Sequence, residues 1–130
     1  MREIKENEFK TKAEKCAKEI IQFCIKHNLG EDTLIYVNNK RFSFVGNKDF
    51  LEDLTWDNVR VEDDVDPHLY LEWAGDFLSM SFEGGMWDVF NSNWSSEIYD
   101  KWEQEISKIF GKYGKYYELG DAWNLSLYDI

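Results

Sequence analysis

Between residues 69 and 90 three aromatic-rich runs are separated by two turn signals. The runs cover 69–73, 77–82 and 86–90, with Ala74-Gly75-Asp76 and Glu83-Gly84-Gly85 between them. Hydrophobic runs broken by glycine-containing turns predict strands joined by hairpins, so this stretch reads as an antiparallel three-strand meander. Side chains alternate across a strand. Leu69, Leu71 and Trp73 then share one face of the first run, and Leu78, Met80 and Phe82 one face of the second, opposite Ser79 and Ser81. A sheet with one oily face and one mixed face carries its helices on the oily side.

The flanking sequence supplies those helices and more strands. Over residues 8–28, Phe9, Ala13, Cys16, Ala17, Ile20, Cys24 and His27 recur at steps of three and four, an amphipathic helix. Lys10, Lys12, Lys15, Lys18, Glu14 and Glu19 read as its solvated faces, and Gly30 as its left-handed cap. Residues 33–37 and 41–45 alternate as strands around Asn38-Asn39-Lys40, where asparagine tolerates positive φ. Residues 46–67 are irregular, with a short helical turn expected at 49–54 and a short strand at 58–61. Ser95 or Ser96 caps a second helix whose apolar stripe, Ile98, Trp102, Ile106, Ile109 and Phe110, ends at Gly111. Residues 115–119 and 123–127 close the chain as a hairpin around Gly120-Asp121. The expected fold is α+β. It is one domain over residues 1–130, an antiparallel sheet of six or seven strands with two helices packed mainly on one face, in the order α-ββ-(loop/β)-βββ-α-ββ.

Composition is consistent with this frame. The chain is 43% hydrophobic and 17% aromatic, too apolar for disorder, and long enough to bury a core without staples. Cys16 and Cys24 fall on one helix, about 12 Å apart at ~1.5 Å rise per residue, too far for a mutual disulfide. They read as reduced thiols of a cytoplasmic protein. No apolar run approaches the roughly 20 residues a bilayer span requires, and the charged N-terminus does not resemble a signal peptide.

Charge changes the picture. The formal net charge is −11. Residues 1–48 carry ten Lys/Arg and seven Asp/Glu, residues 49–105 two against sixteen, and residues 106–130 three of each, so the three stretches stand at +3, −14 and 0. A field of that sign repels nucleic acid and anionic membranes and attracts basic proteins.

Candidate chemistry is thin by comparison. No Gly-x-Ser-x-Gly, Walker A or Gly-x-Gly-x-x-Gly pattern is present. Asp64, Asp66 and His68 alternate behind Glu62 and Asp63, an oxygen-rich run, but the glycine and glutamate of a calcium loop are out of register. No metal or cofactor is therefore expected. His68 beside Asp66 has the composition of an oriented base, yet a surface histidine before a strand is the simpler account. With sixteen carboxylates in the middle segment, pairing two of them as in glycosidases is an unspecific signal.

These features point to a non-enzymatic binding protein. The expected partner-binding residues are Trp56, as an aromatic anchor, with Asp57, Glu62, Asp63, Asp64, Asp66, Glu72, Asp76, Glu83 and Asp88; Trp87 and Trp94 are further candidate anchors. In size, acidity and lack of catalytic motifs the chain resembles small acidic inhibitors of nucleic-acid enzymes. These include phage-encoded anti-CRISPR and anti-restriction proteins, which mimic nucleic acid, and immunity proteins that neutralise nuclease toxins. The resemblance implies that the partner is a basic protein surface on a nucleic-acid-binding enzyme, with no direct contact to nucleic acid or membrane. Two other classes fit the same residues: a structural or regulatory domain whose acidity only confers solubility, and a small enzyme using His68 or a carboxylate pair.

Overall fold

A seven-stranded antiparallel sheet frames the computed structural model, which describes residues 1–45, 53–91 and 96–130. Its strands are β1 (Arg2–Glu3), β2 (Thr33–Val37), β3 (Lys40–Phe44), β4 (Val59–Glu62), β5 (Ser79–Phe82), β6 (Lys115–Leu119) and β7 (Asn124–Asp129). They lie side by side in the order β1-β4-β3-β2-β5-β7-β6. Three helices, α1 (Lys12–His27), α2 (Gly85–Asn91) and α3 (Glu97–Lys112), cover one face. The core sits between them: Cys16, Ile20, Ile21 and Cys24 from α1, Met86 from α2, Ile106 and Phe110 from α3, against Ile35, Phe42, Val61, Met80 and Leu125 of the sheet. Both cysteines are buried free thiols, and burial raises each to about 12, out of reach of ionisation at neutral pH.

Local chemistry explains the ends of α1. Thr11 Oγ1 accepts the Glu14 N–H at 3.1 Å, and Glu14 Oε1 accepts the Thr11 N–H at 3.0 Å, a complete capping box. Glu14 is therefore buried rather than on a solvated face, with Lys40 Nζ donating to its other oxygen at 3.2 Å. Replacing Thr11 with alanine is expected to cost about 1 kcal/mol, read as a lower urea midpoint. At the other end the left-handed residue is Asn28, at φ 55°, and not Gly30. Gly30 is small for a different reason: a Cβ there would stand 2.6 Å from Phe44 and Leu54 side-chain atoms. The turn between β2 and β3 has Asn38 at φ 48° and Asn39 at φ 58°, the paired positive values that match the twist of a two-residue hairpin.

The region 69–90 is not a meander. Only its middle run is a strand, β5. The first run becomes a 3-10 turn (Pro67–Leu69) followed by irregular chain, and the third becomes α2. Both neighbours of β5 come from elsewhere in the chain, β2 on one side and β7 on the other, so neither flanking run has a place beside it. Met86, Val89 and Phe90 are buried at helical spacing, a pattern that five residues cannot distinguish from a strand. The sheet thus has three helices on it rather than two. Strand β1, which pairs with β4 over two residues, has no counterpart in the sequence-based expectation. Helix α3 runs on through Gly111 to Lys112, and Gly114, at φ 73°, takes the left-handed position instead. Ser96 stands at its N-cap position without a side-chain hydrogen bond to the first turn. Ser95, and most of the helical turn expected at 49–54, lie outside the described residues.

Carboxylates bind the helices to one another. Glu19 on α1 pairs with Lys112 and accepts from the Tyr113 hydroxyl, while Glu105 on α3 takes Lys26 Nζ at 2.7 Å and His27 Nε2 at 2.6 Å. Burial alone would raise these carboxyls, but their donors prevail and hold both below the ordinary value of 4.5. A lowered folded-state pKa contributes stability above the unfolded value and loses it as pH falls through the folded one. Stability is therefore expected to decline as pH drops below about 4.5, with Glu105→Gln flattening part of that decline in urea titrations.

Candidate protein-docking face

The face of the sheet opposite the helices carries Leu34 and Tyr36 of β2, Arg41 of β3, Glu62 of β4, Ser79 and Ser81 of β5, and Asn124, Ser126 and Tyr128 of β7, as the strand registers require. It is mixed in polarity, and Tyr36, Ser79, Ser81, Asn124 and Ser126 are buried on it. The cover is the irregular chain between β4 and β5. Val65 and Leu71 are its buried contacts, packed on Tyr36, with Leu34 and Ala74 alongside.

A buried hydroxyl pair anchors this cover. Ser126 Oγ donates to the Trp73 carbonyl at 2.8 Å, and the Gly75 N–H reaches both Ser79 Oγ, at 2.8 Å, and Ser126 Oγ, at 3.1 Å. The two oxygens are 2.7 Å apart. A hydroxyl has one proton, and that of Ser126 is committed to Trp73, so Ser79 donates to Ser126. Gly75 fits because a Cβ there would stand 3.3 Å from Ser126 Cβ. Residues 73–75 thus stay on the sheet through serines that are distant in sequence. At the other end Asp66 Oδ1 accepts the backbone N–H of His68 at 3.0 Å, capping the 3-10 turn. The Asp66 contact to His68 is to the main chain.

The cover hides little apolar surface of its own. Leu69 is 77% exposed, Tyr70 51% and Trp73 61%. Leu71 is buried between them, so the three residues expected on one strand face point different ways. The Tyr70 ring stacks on Tyr36 with centroids 6.1 Å apart, and the Arg41 guanidinium lies 4.7 Å from the Tyr70 centroid. Glu72, Asp76 and Glu83 are exposed along and beside the cover, and Asp32 stands next to Glu83. None of these four carboxylates forms an ion pair among the described residues.

The expected partner-binding set divides in space. Glu62 is paired with Arg41, and Asp63 with Arg2 through hydrogen bonds of 2.7 and 3.0 Å, so the field of both is locally neutralised. Hydrogen bonding by Arg2 outweighs desolvation and holds the Asp63 carboxyl below its ordinary value. Trp56 and Asp57 sit in a 3-10 turn before β4, with the Trp56 ring edge-on to Phe9 at 5.9 Å. They line an open cavity of about 680 Å³ at the β1–β4 edge of the sheet, where Lys18 and Arg60 stand with Glu3, Glu6 and Asp57. Asp88 is half-buried on α2, beside the exposed Trp87. Asp64, at φ 56° in a turn, Asp66, Glu72, Asp76 and Glu83 are exposed on or beside the cover. Asp49, Glu52 and Trp94 lie outside the described residues.

Sequence reasoning missed Asp32, Tyr70, Trp73 and Trp123 as site residues. Trp73 approaches Gly120, where its Cδ1 would be 3.4 Å from an added Cβ, a juxtaposition no local pattern signals. Among the described residues, no three His, Cys, Asp or Glu side chains are placed to hold a metal ion, and no helix is long and apolar enough to cross a membrane. Comparison with protein-family models, with curated proteins and with solved structures gives no match to this chain.

Proposed function

We propose that this chain acts by binding rather than by catalysis: its helix-free face docks on a basic surface of a nucleic-acid-binding enzyme and keeps nucleic acid away from it. The supporting observation is that Glu72, Asp76 and Glu83, unpaired among the described residues, accompany exposed Leu69, Tyr70 and Trp73. Carboxylates left out of ion pairs steer a positive partner, and exposed aromatic side chains provide the anchors that carry binding energy. Acidity that served solubility alone would not need a tryptophan, a tyrosine and a leucine left open beside the charges. On this reading the contacts are Glu72, Asp76, Glu83 and their aromatic neighbours, with Glu62 and Asp63 held by their arginines.

The test is competition with duplex DNA for a guide-loaded CRISPR effector, a restriction endonuclease and a nuclease toxin, each read by cleavage of a fluorescent substrate. Inhibition of at least one enzyme is expected, and it should weaken steeply between about 50 and 200 mM salt as screening rises. Inhibition of none, or inhibition indifferent to salt, overturns the proposal.

A further inference from the structure

We propose that a groove on this face, bounded by Tyr70, Trp123, Asp32 and Glu83, receives an arginine side chain of the partner. The inference rests on the docking function proposed above and names the group recognised. The groove encloses about 330 Å³ and is floored by Leu34, Leu71 and Ser81. Its rim combines two things a guanidinium needs. Asp32 and Glu83 are brought side by side by a main-chain hydrogen bond, Glu83 N–H to the Asp32 carbonyl at 3.3 Å. Asp32 holds a left-handed backbone, φ 50°, to make that approach. Neither carboxylate forms an ion pair among the described residues; two such neighbouring charges repel one another, and a cation set between them relieves the repulsion. Tyr70 and Trp123 add aromatic surface, to which a flat, weakly hydrated guanidinium is better matched than an ammonium.

The protein already uses this chemistry next door. Arg41 lies over the Tyr70 ring at 4.7 Å and over Tyr36 at 5.9 Å, and is held there by Glu62. Arg41 belongs to β3, on one side of Tyr36. The groove lies on the other side, along the row where Leu34 pairs with Ser81 and Ser81 with Asn124. A tyrosine pair with a resident guanidinium on one flank thus has carboxylates, and no resident cation among the described residues, on the other.

The experiment titrates the whole chain with end-blocked Gly-Arg-Gly, Gly-Lys-Gly and Gly-citrulline-Gly, the last being the uncharged isostere, and follows the tryptophan indole and backbone amide resonances. The expected result is a saturable shift at Trp123 and Tyr70 with the arginine peptide, a weaker response to lysine and none to citrulline. The double substitution Asp32→Asn with Glu83→Gln, nearly isosteric, should weaken the arginine response about tenfold while leaving the spectrum dispersed. An equal response to citrulline, tighter binding of lysine, shifts confined to Trp56, or no shift overturns the groove. The two proposals fail separately. Specific arginine binding without inhibition of any enzyme overturns the docking function alone. Inhibition that survives Asp32→Asn with Glu83→Gln undiminished overturns the groove alone.

Discussion

Changing Glu72, Asp76 and Glu83 together to lysine is expected to raise the concentration needed for half-inhibition of a susceptible nuclease by about a hundredfold or more. The three side chains are exposed and unpaired among the described residues, so the substitutions break no internal ion pair. They convert attraction to repulsion at three points on one face, and most of the change should appear in the association rate and its salt dependence. The matched control is Glu6→Lys, Asp57→Lys and Glu97→Lys. It alters the net charge of −11 by the same amount but places the change on the helix side or at the β1–β4 edge. A docking face predicts a small effect for the control. If both triples weaken inhibition equally, only overall charge matters and there is no face.

Leu71→Ala is expected to have the largest effect on the scaffold of that face. Leu71 is 3% exposed and belongs to a small cluster with Tyr36 and Val65, separate from the main core. Removing a buried leucine beyond the β-carbon costs about 2–5 kcal/mol through lost burial and the cavity left behind. The loss falls on a segment held otherwise by the Ser79–Ser126–Gly75 contacts, a cap and a few main-chain bonds, so the cover should open before the sheet does. Hydrogen exchange should accelerate around residues 65–77 while the amides of α1 stay protected, and inhibition should fall. Leu125→Ala is the comparison: Leu125 is in the main core, so it should lower the global urea midpoint without opening the cover first. Equal loss of protection everywhere in Leu71→Ala would mean that the cover and the core unfold as one unit.

The two hairpins and the long helices were legible because each depends on near neighbours. The stripe of α1 repeats over four turns, and Asn38-Asn39 can adopt the positive φ angles its turn requires. Strand β6 meets β7 across a short turn. Residues 69–90 were misread for the opposite reason. Whether a five-residue aromatic run becomes strand, helix or cover depends on what lies beside it, and β5 was already flanked by β2 and β7. The same limit applied to the charges. The acidic stretch was plain, but Asp63 meets an arginine 61 positions away and Glu62 one 21 positions away, separations at which sequence spacing carries no information.

By itself, then, the sequence determined an α+β sheet protein with an acidic middle, since periodicity and composition are local or additive properties. Tertiary structure decided which carboxylates find a cation, that residues 85–91 join the helices on one face, and that Leu69, Tyr70 and Trp73 remain open on the other. Those outcomes depend on strand order and on contacts between distant segments, and the physical reason is that neutralising a charge or burying a ring takes a partner brought into place by the fold.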